Sequence, residues 1–214
     1  MEEMSKGLGY AVLVLAIIAV GFAATNSFLA LNKYQKISEI TGFGTSGYVN
    51  VTVATVVSVN FTQDTINWGA GSLDNGQNNA SLLAANAGPV VTRGNWSTSG
   101  ITPLALENIG TTNVTIKLSS DKNATGLFAG SEGNRRYQLN VTSSDAGACN
   151  GALVSNLSLW RDPNITSPGD QYCSQLGYID TQDQINISII LAVPYDGSTG
   201  ALSSTLTATA AAAA

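Results

Sequence analysis

Ten asparagines in this sequence are each followed, two positions later, by serine or threonine, with no proline between them. This triplet is the acceptor pattern for N-linked glycans, so these side-chain amides could carry sugars. All ten lie after residue 42, which predicts that this part of the chain is outside the cytoplasm. A strand whose polar positions hold Asn and Thr also generates such triplets without any glycan. The candidates are Asn50, Asn60, Asn79, Asn95, Asn113, Asn123, Asn140, Asn156, Asn164 and Asn186.

Two cysteines, Cys149 and Cys173, enclose a loop rich in Gly, Asn, Asp and Pro. In an exported protein a pair with this spacing is best interpreted as a disulfide, which would contribute about 3–4 kcal/mol by restricting the unfolded chain. Two separate buried thiols are the alternative. A redox role is disfavoured because no Cys-x-x-Cys spacing is present.

Other reactive chemistry is scarce. Histidine is absent, which excludes Ser-His-Asp and Cys-His catalysis and the common histidine metal sites. Asp74, Asp180 and Asp183 do not complete a calcium-ligand series. We therefore expect no catalytic, cofactor-binding or metal-binding residues, and we expect that the protein is not an enzyme and has no small-molecule substrate. The net charge of -5, with nine scattered Lys and Arg residues, argues against a nucleic-acid partner.

The N-terminal part of the sequence is strongly apolar. Residues 8–31 contain no charged side chain, and as a helix they would be about 36 Å long, enough to cross the hydrocarbon of a bilayer. Apolar residues then recur at spacings of three as far as Ile40, which predicts that the helix continues amphipathically to Thr41 and ends at Gly42 and Gly44.

Three interpretations of this segment compete. It could be a cleaved secretory signal, although its apolar run is longer than usual. It could be a permanent membrane anchor, although Lys33 and Lys36 lie on the presumed outer side, against the positive-inside rule. The third interpretation uses a family resemblance.

The short leader MEEMSKG, with Lys6-Gly7 directly before the apolar run, resembles the archaeal type IV pilin and archaellin superfamily over about the first 41 residues. The resemblance implies cleavage after Gly7, storage of the helix in the membrane, and packing of helices from many copies into a filament core. The residues expected to carry assembly are Leu8, Val12, Leu15, Ile18, Phe22, Phe28 and Leu31.

After Gly47 the apolar period changes to two. Alternation from Val49 to Phe61 predicts one long half-buried strand, and shorter alternating runs follow near residues 114–118, 139–141 and 185–189. The turn signals between them predict an antiparallel, immunoglobulin-like β-sandwich. The chain is expected to close with a hairpin around Val193-Pro194 and a last strand.

These patterns predict a mainly β protein whose immunoglobulin-like sandwich is preceded by one long hydrophobic α-helix. The expected organisation is a leader at 1–7, the helix at 8–41, a Gly-rich hinge at 42–47, the sandwich at 48–210 and an Ala tail at 211–214. The leading hypothesis is a glycosylated extracellular filament subunit that enters the membrane before it self-associates, with no cofactor other than N-linked glycans. The alternatives are a membrane-anchored surface glycoprotein of the S-layer kind, and a strand-exchanging pilus subunit whose signal peptide is removed.

Overall fold

Ten β-strands, one short helix and one 3-10 turn are formed by the residues that the computed structural model describes, which are 54–150 and 159–214. These residues belong to a unit that comprises Val53–Ala214. The strands are β1 (Val59–Gln63), β2 (Asn79–Ala84), β3 (Val90–Thr92), β4 (Leu104–Asn108), β5 (Val114–Ser120), β6 (Arg136–Ser143), β7 (Cys149–Asn150), β8 (Asp170–Leu176), β9 (Gln184–Pro194) and β10 (Leu206–Ala212). Helix α1 is Ala124–Phe128, and the 3-10 turn is Glu132–Asn134.

Two antiparallel sheets are built from these strands. The first has six strands in the order β1-β4-β9-β2-β3, with β6 also paired to β9. The second has four strands in the order β10-β5-β8-β7. Strand β9 is eleven residues long, so one of its edges pairs with β4 near Gln184 and with β2 near Pro194, while β6 follows the other edge.

The core lies between the two sheets and is formed by the alternate side chains that face inward. In β4, in β6 and in β5 as far as Leu118, buried and partly exposed residues alternate, which is the pattern of strands with one covered face. The predicted strands near residues 114–118, 139–141 and 185–189 are confirmed. The buried cluster contains Leu104, Leu106, Ile185, Ile187, Leu139 and Val141 from the first sheet, and Val114, Ile116, Leu118, Tyr172 and Leu176 from the second.

The predicted fold class needs correction. The mainly β character and the antiparallel sheets agree with the structure, but the long hydrophobic helix does not appear in the described part of the chain, where α1 has five residues. Apolar residues recur there at every second position, which favours strands, and the short helix α1 begins where the Asn123 side chain caps its N-terminus. No helix in residues 54–150 and 159–214 is long and apolar enough to cross a bilayer. Residues 8–41 lie outside the described residues.

The immunoglobulin-like topology is also wrong in detail. That fold divides seven strands into sheets of four and three in its constant type, whereas the described residues form sheets of six and four strands. The long strand β9 also holds two successive partners, β4 and β2, on a single edge.

The long strand predicted from Val49 to Phe61 is shorter than expected. Only Val59 onward is paired with β4, and Val56 and Val57 are exposed. The backbone of Val56 instead bonds to Thr111 at the β4–β5 turn, where Thr111 N donates to Val56 O at 2.9 Å. Positions 49–53, like the predicted hinge at 42–47, lie outside the described residues.

The end of the chain departs from the predicted hairpin and Ala tail. Strands β9 and β10 belong to different sheets, so their connection crosses the sandwich and does not form a hairpin. Ala211 and Ala212 are part of β10, paired with Thr115 and Val114, and Ala213 N donates to Asn113 O at 2.9 Å. The alanines form strand because backbone pairing to β5 continues regardless of their small side chains.

The predicted disulfide between Cys149 and Cys173 is confirmed, with a Cα–Cα distance of 5.8 Å. It connects β7 to β8, and the Cys173 side chain is fully buried beside the core. Because β7 has only two residues, the covalent bond secures an element that its backbone hydrogen bonds alone would hold weakly.

A buried amide joins the two sheets where the chain passes from β4 to β5. Asn108 is 1% exposed, and its Nδ2 donates to the carbonyls of Thr112 (2.8 Å) and Gly177 (2.7 Å) and, at 3.3 Å, of Leu176. Its Oδ1 accepts from Gly110 N at 3.0 Å. Asn108 thereby satisfies its own buried amide and connects the β4–β5 turn to the end of β8.

We predict that Asn108→Ala lowers the free energy of unfolding by about 2–4 kcal/mol, because the carbonyls of Thr112, Leu176 and Gly177 lose their donor and a cavity forms at the buried Asn108 side chain. Chemical denaturation of the full chain measures the change. Asn67→Ala is the matched control, because Asn67 is exposed and makes one local hydrogen bond. A loss no larger than that of the control would contradict the role of Asn108.

Candidate glycosylation and assembly surface

Eight of the ten predicted glycan acceptors lie in the described residues. The other two, Asn50 and Asn156, lie outside them, as do the leader residues Lys6 and Gly7 and the predicted assembly residues Leu8, Val12, Leu15, Ile18, Phe22, Phe28 and Leu31. The remaining eight acceptors all lie in the β-sandwich domain.

Strand geometry turns most acceptors outward. In the triplets that begin at Asn113, Asn140 and Asn186, the middle residue is buried between the sheets. Neighbours along a strand point to opposite faces, so each of these asparagines lies on the outer face. Asn60, Asn79, Asn140 and Asn186 share the outer face of the six-stranded sheet, and Asn113 lies on the outer face of the four-stranded sheet.

Among the eight described acceptors, Asn60 and Asn95 are the exposed ones. Asn95 is held in a fixed orientation, because its Oδ1 accepts from Ser72 N at 2.6 Å. The neighbouring ring of Trp96 packs on Gly71 and Gly94, where any Cβ would overlap it. Trp96 is thus a structural residue that supports the turn, and the Asn95 amide nitrogen remains on the surface.

Asn123 combines two roles. Its Oδ1 accepts from Gly126 N at 2.9 Å and caps α1. This contact uses the oxygen, and it leaves the amide nitrogen without a protein partner among the described residues. A glycan on the nitrogen would therefore be compatible with the cap.

Asn164 and Asn186 are poorer acceptors. The Nδ2 of Asn164 donates to Asp170 Oδ1 at 2.9 Å, and its Oδ1 accepts from Thr166 N at 2.8 Å, so both ends of the amide are engaged. Asn186 is half-buried beside a shallow cavity of about 400 Å³, and the hydroxyl residue of its triplet, Ser188, is buried. A glycosylating enzyme would need to displace the hydrogen bonds of Asn164 and to reach the half-buried Asn186.

Asn79 and Asn140 lie between these extremes. Both are half-buried, and the Oδ1 atom of each is buried without a hydrogen-bond partner. The hydroxyl of Thr142, in the Asn140 triplet, accepts from Asn86 Nδ2 at 3.2 Å.

Carboxylates in the sandwich have structural roles. Asp121 accepts from Ser204 Oγ and from Thr205 N, each at 2.7 Å, and these bonds lower its pKa. Asp196 accepts from the hydroxyl and the backbone N–H of Ser131, which lowers its pKa. Both carboxylates fasten the segments that flank the crossover from β9 to β10.

Unlike Asp121 and Asp196, which are exposed, Asp183 is buried, with 4% of the residue exposed. Desolvation raises its pKa, and repulsion from Asp145 and Asp180 adds to the effect. Within residues 54–150 and 159–214, no group of three or more His, Cys, Asp or Glu side chains is placed to hold a metal ion.

Sequence reasoning missed the contacts of Asn108 and Asp121. The Asn108-Ile109-Gly110 triplet indicates a turn but not that the amide is buried against β8. The bonds of Asp121 to Ser204 and Thr205 join residues more than eighty positions apart, which local periodicity does not reveal.

Comparison of the chain with protein-family models, with curated proteins and with solved structures finds no match.

We predict that glycans are found on Asn60 and Asn95 and not on Asn164, because the nitrogen of Asn164 is engaged by Asp170. Glycopeptide mass spectrometry of the protein from its native cells measures occupancy at each position. Asn60→Gln and Asn95→Gln should each remove one glycan mass, and Asn164→Gln should leave the mass of attached sugar unchanged. Bare Asn60 and Asn95 beside an occupied Asn164 would contradict the prediction.

We predict that Asp183→Asn raises the free energy of unfolding at pH 7 by about 1 kcal/mol. The pKa of Asp183 is raised above its ordinary value of 3.8, so its ionisation penalty is absent below that value and develops as pH rises through the folded-state pKa. Denaturation of both proteins between pH 3 and 8 measures this. The gain should disappear at low pH, and Asp180→Asn, at an exposed position, should give a smaller gain. Equal stability of Asp183→Asn and the original chain at pH 7 would contradict the account.

Proposed function

We propose that this chain is the structural subunit of an extracellular filament of the type IV pilus or archaellum kind. Its N-terminal hydrophobic segment resides in the membrane before assembly and then packs against copies of itself. The β-sandwich lies on the outside of the filament and carries N-linked glycans. Adhesion or motility would then be a property of the assembly.

The observation that carries the proposal is the order of features along the chain. A charge-free run at residues 8–31 follows Lys6-Gly7 directly, and the described sandwich comes after it. Burial of such a run against identical runs removes a large apolar surface from water, which is a strong driving force for self-association. A heterologous, repeated contact of this kind extends into a filament.

The surface of the sandwich supports an exported location. A disulfide connects β7 and β8, and disulfides persist mainly in oxidising compartments. Charged residues make up 11% of the chain, so uncharged polar side chains must supply most of its hydration, and attached sugars would add to it. Asn60 and Asn95 are exposed positions at which sugars would do so.

The test is a charge in the hydrophobic run. We predict that Leu15→Glu and Ile18→Glu abolish filaments, because a carboxylate among packed apolar segments is desolvated without a partner. Negative-stain microscopy of material sheared from cells measures assembly. Gln35→Glu, which adds the same charge at a polar position after the run, is the control and should assemble normally.

Normal filaments from Leu15→Glu would contradict the proposal. If the unmodified chain instead gives no filaments and leaves the membrane only with detergent, the anchored surface glycoprotein is the better description. Each outcome is visible in the same preparation, because the membrane and sheared fractions are separated before imaging.

A further inference from the structure

The segment that connects β9 to β10 is fixed next to β10 by Asp121. This carboxylate directly follows β5, and its Oδ1 accepts from Ser204 Oγ and from Thr205 N, each at 2.7 Å. The backbone adds to the contact, because Asp121 N donates to Thr205 O at 3.1 Å. The Nζ of Lys122 donates to Ser203 O at 2.6 Å. These bonds join the segment to the end of β5 directly before β10 begins.

A second carboxylate, Asp196, fixes the other end of the same segment. Asp196 lies two residues after β9, and it accepts from the backbone N–H of Ser131 at 3.1 Å and from the Ser131 hydroxyl. Ser198 N donates to Phe128 O at 2.7 Å, which holds the following residues against α1. Residues 199–203 are all exposed. The segment is therefore fixed at two points and open to solvent between them.

The side chains of β10 anchor the strand only weakly. β10 contains one Leu, two Thr and four Ala, and the side chains that pack against the core are those of Leu206, Ala208 and Ala210. Burial of alanine removes little apolar surface from water, so β10 gains less hydrophobic stabilisation than β5, whose inward side chains are Val, Ile and Leu. Retention of β10 in its sheet thus depends more on backbone pairing with β5 and on the contacts that precede the strand.

We propose that the contacts of Asp121 and Asp196 form an acid-sensitive latch on the connection between β9 and β10. While both carboxylates are ionised, they hold the connection on the sandwich and keep β10 in its sheet. Protonation converts charge-assisted hydrogen bonds into weaker neutral ones, and β10 then separates from β5 more often than the central strands open. The latch uses contacts within the sandwich and does not depend on the N-terminal segment, so this proposal goes beyond the proposed function.

The groups around each carboxylate set the pH range in which the latch opens. Hydrogen bonds, that from the serine hydroxyl first, lower the pKa of both carboxylates, and a positive charge adds to the effect, from Lys122 at Asp121 and from Arg135 at Asp196. Their stabilising contribution is therefore complete above the ordinary value of 3.8 and is lost as pH falls through the lower folded-state pKa. The latch is closed at about pH 5 and opens toward about pH 2.

The opposite end of β9 responds to acid in the opposite sense. Desolvation raises the pKa of Asp183, and the charges of Asp145 and Asp180 raise it further, so protonation of Asp183 removes an energetic penalty. Acid is thus expected to loosen β10 and not the start of β9. This difference distinguishes the latch from a general loss of stability in acid.

Hydrogen exchange of the full chain in detergent micelles, measured by mass spectrometry, tests the latch. The quantity compared between about pH 5 and about pH 2 is the protection factor, which corrects for the pH dependence of the intrinsic exchange rate. We expect the protection of β10 to fall about two- to tenfold relative to that of β9. Equal losses of protection in β10 and β9, or no loss in β10, would overturn the proposal.

Substitution of the carboxylates gives a second measurement. Asp121→Asn keeps the side-chain size without the charge, so β10 should already lose about two- to tenfold of its protection at about pH 5. In the double variant Asp121→Asn, Asp196→Ala the protection of β10 should no longer respond to pH. Asp74→Asn removes the same charge at an exposed turn before β2, and it should behave as the original chain does. A pH response of β10 that persists in the double variant would overturn the proposal.

Discussion

The sandwich depends on one buried amide at the point where its two sheets are connected. The chain leaves the first sheet at Asn108 and enters the second at Val114, and the buried Asn108 side chain bonds to backbone groups of this passage and of the segment that follows β8. Asn108 provides two donors and one acceptor to Thr112, Gly177 and Gly110 at once. The bonds of Asn108 join this passage to the end of β8 in the second sheet, and the apolar inward faces of both sheets form the hydrophobic core beside it.

The outside of the sandwich follows from the same alternation. An inward Val or Ile places its sequence neighbours on the outer face, so the polar positions of these strands become Asn and Thr, and acceptor triplets result. Local contacts then decide which acceptors are accessible. Asn60 and Asn95 are exposed, whereas the amide nitrogen of Asn164 donates to Asp170. The edge strands of the two sheets differ. β1 has an irregular register and β7 is joined to β8 by the disulfide, while β10 is regular and uncharged.

Local patterns were sufficient for part of this account. Period-two alternation predicted β5 and β9, and cysteine spacing predicted the disulfide. The two partners on one edge of β9, the crossover from β9 to β10 and the burial of Asn108 depend on contacts between distant residues, which periodicity does not encode. The strand predicted from Val49 failed at Val56, where hydrogen bonds to the turn at Thr111 replace pairing with β4. The predicted helix at 8–41 lies outside the described residues.

In the proposed filament subunit the hydrophobic segment stays attached to the sandwich in the mature protein. N-terminal sequencing of the mature chain recovered from its native cells tests this most directly. The account predicts a mature protein that begins at Leu8 and keeps the whole apolar run. A mature protein that begins near Thr25, with most of that run removed, would contradict it.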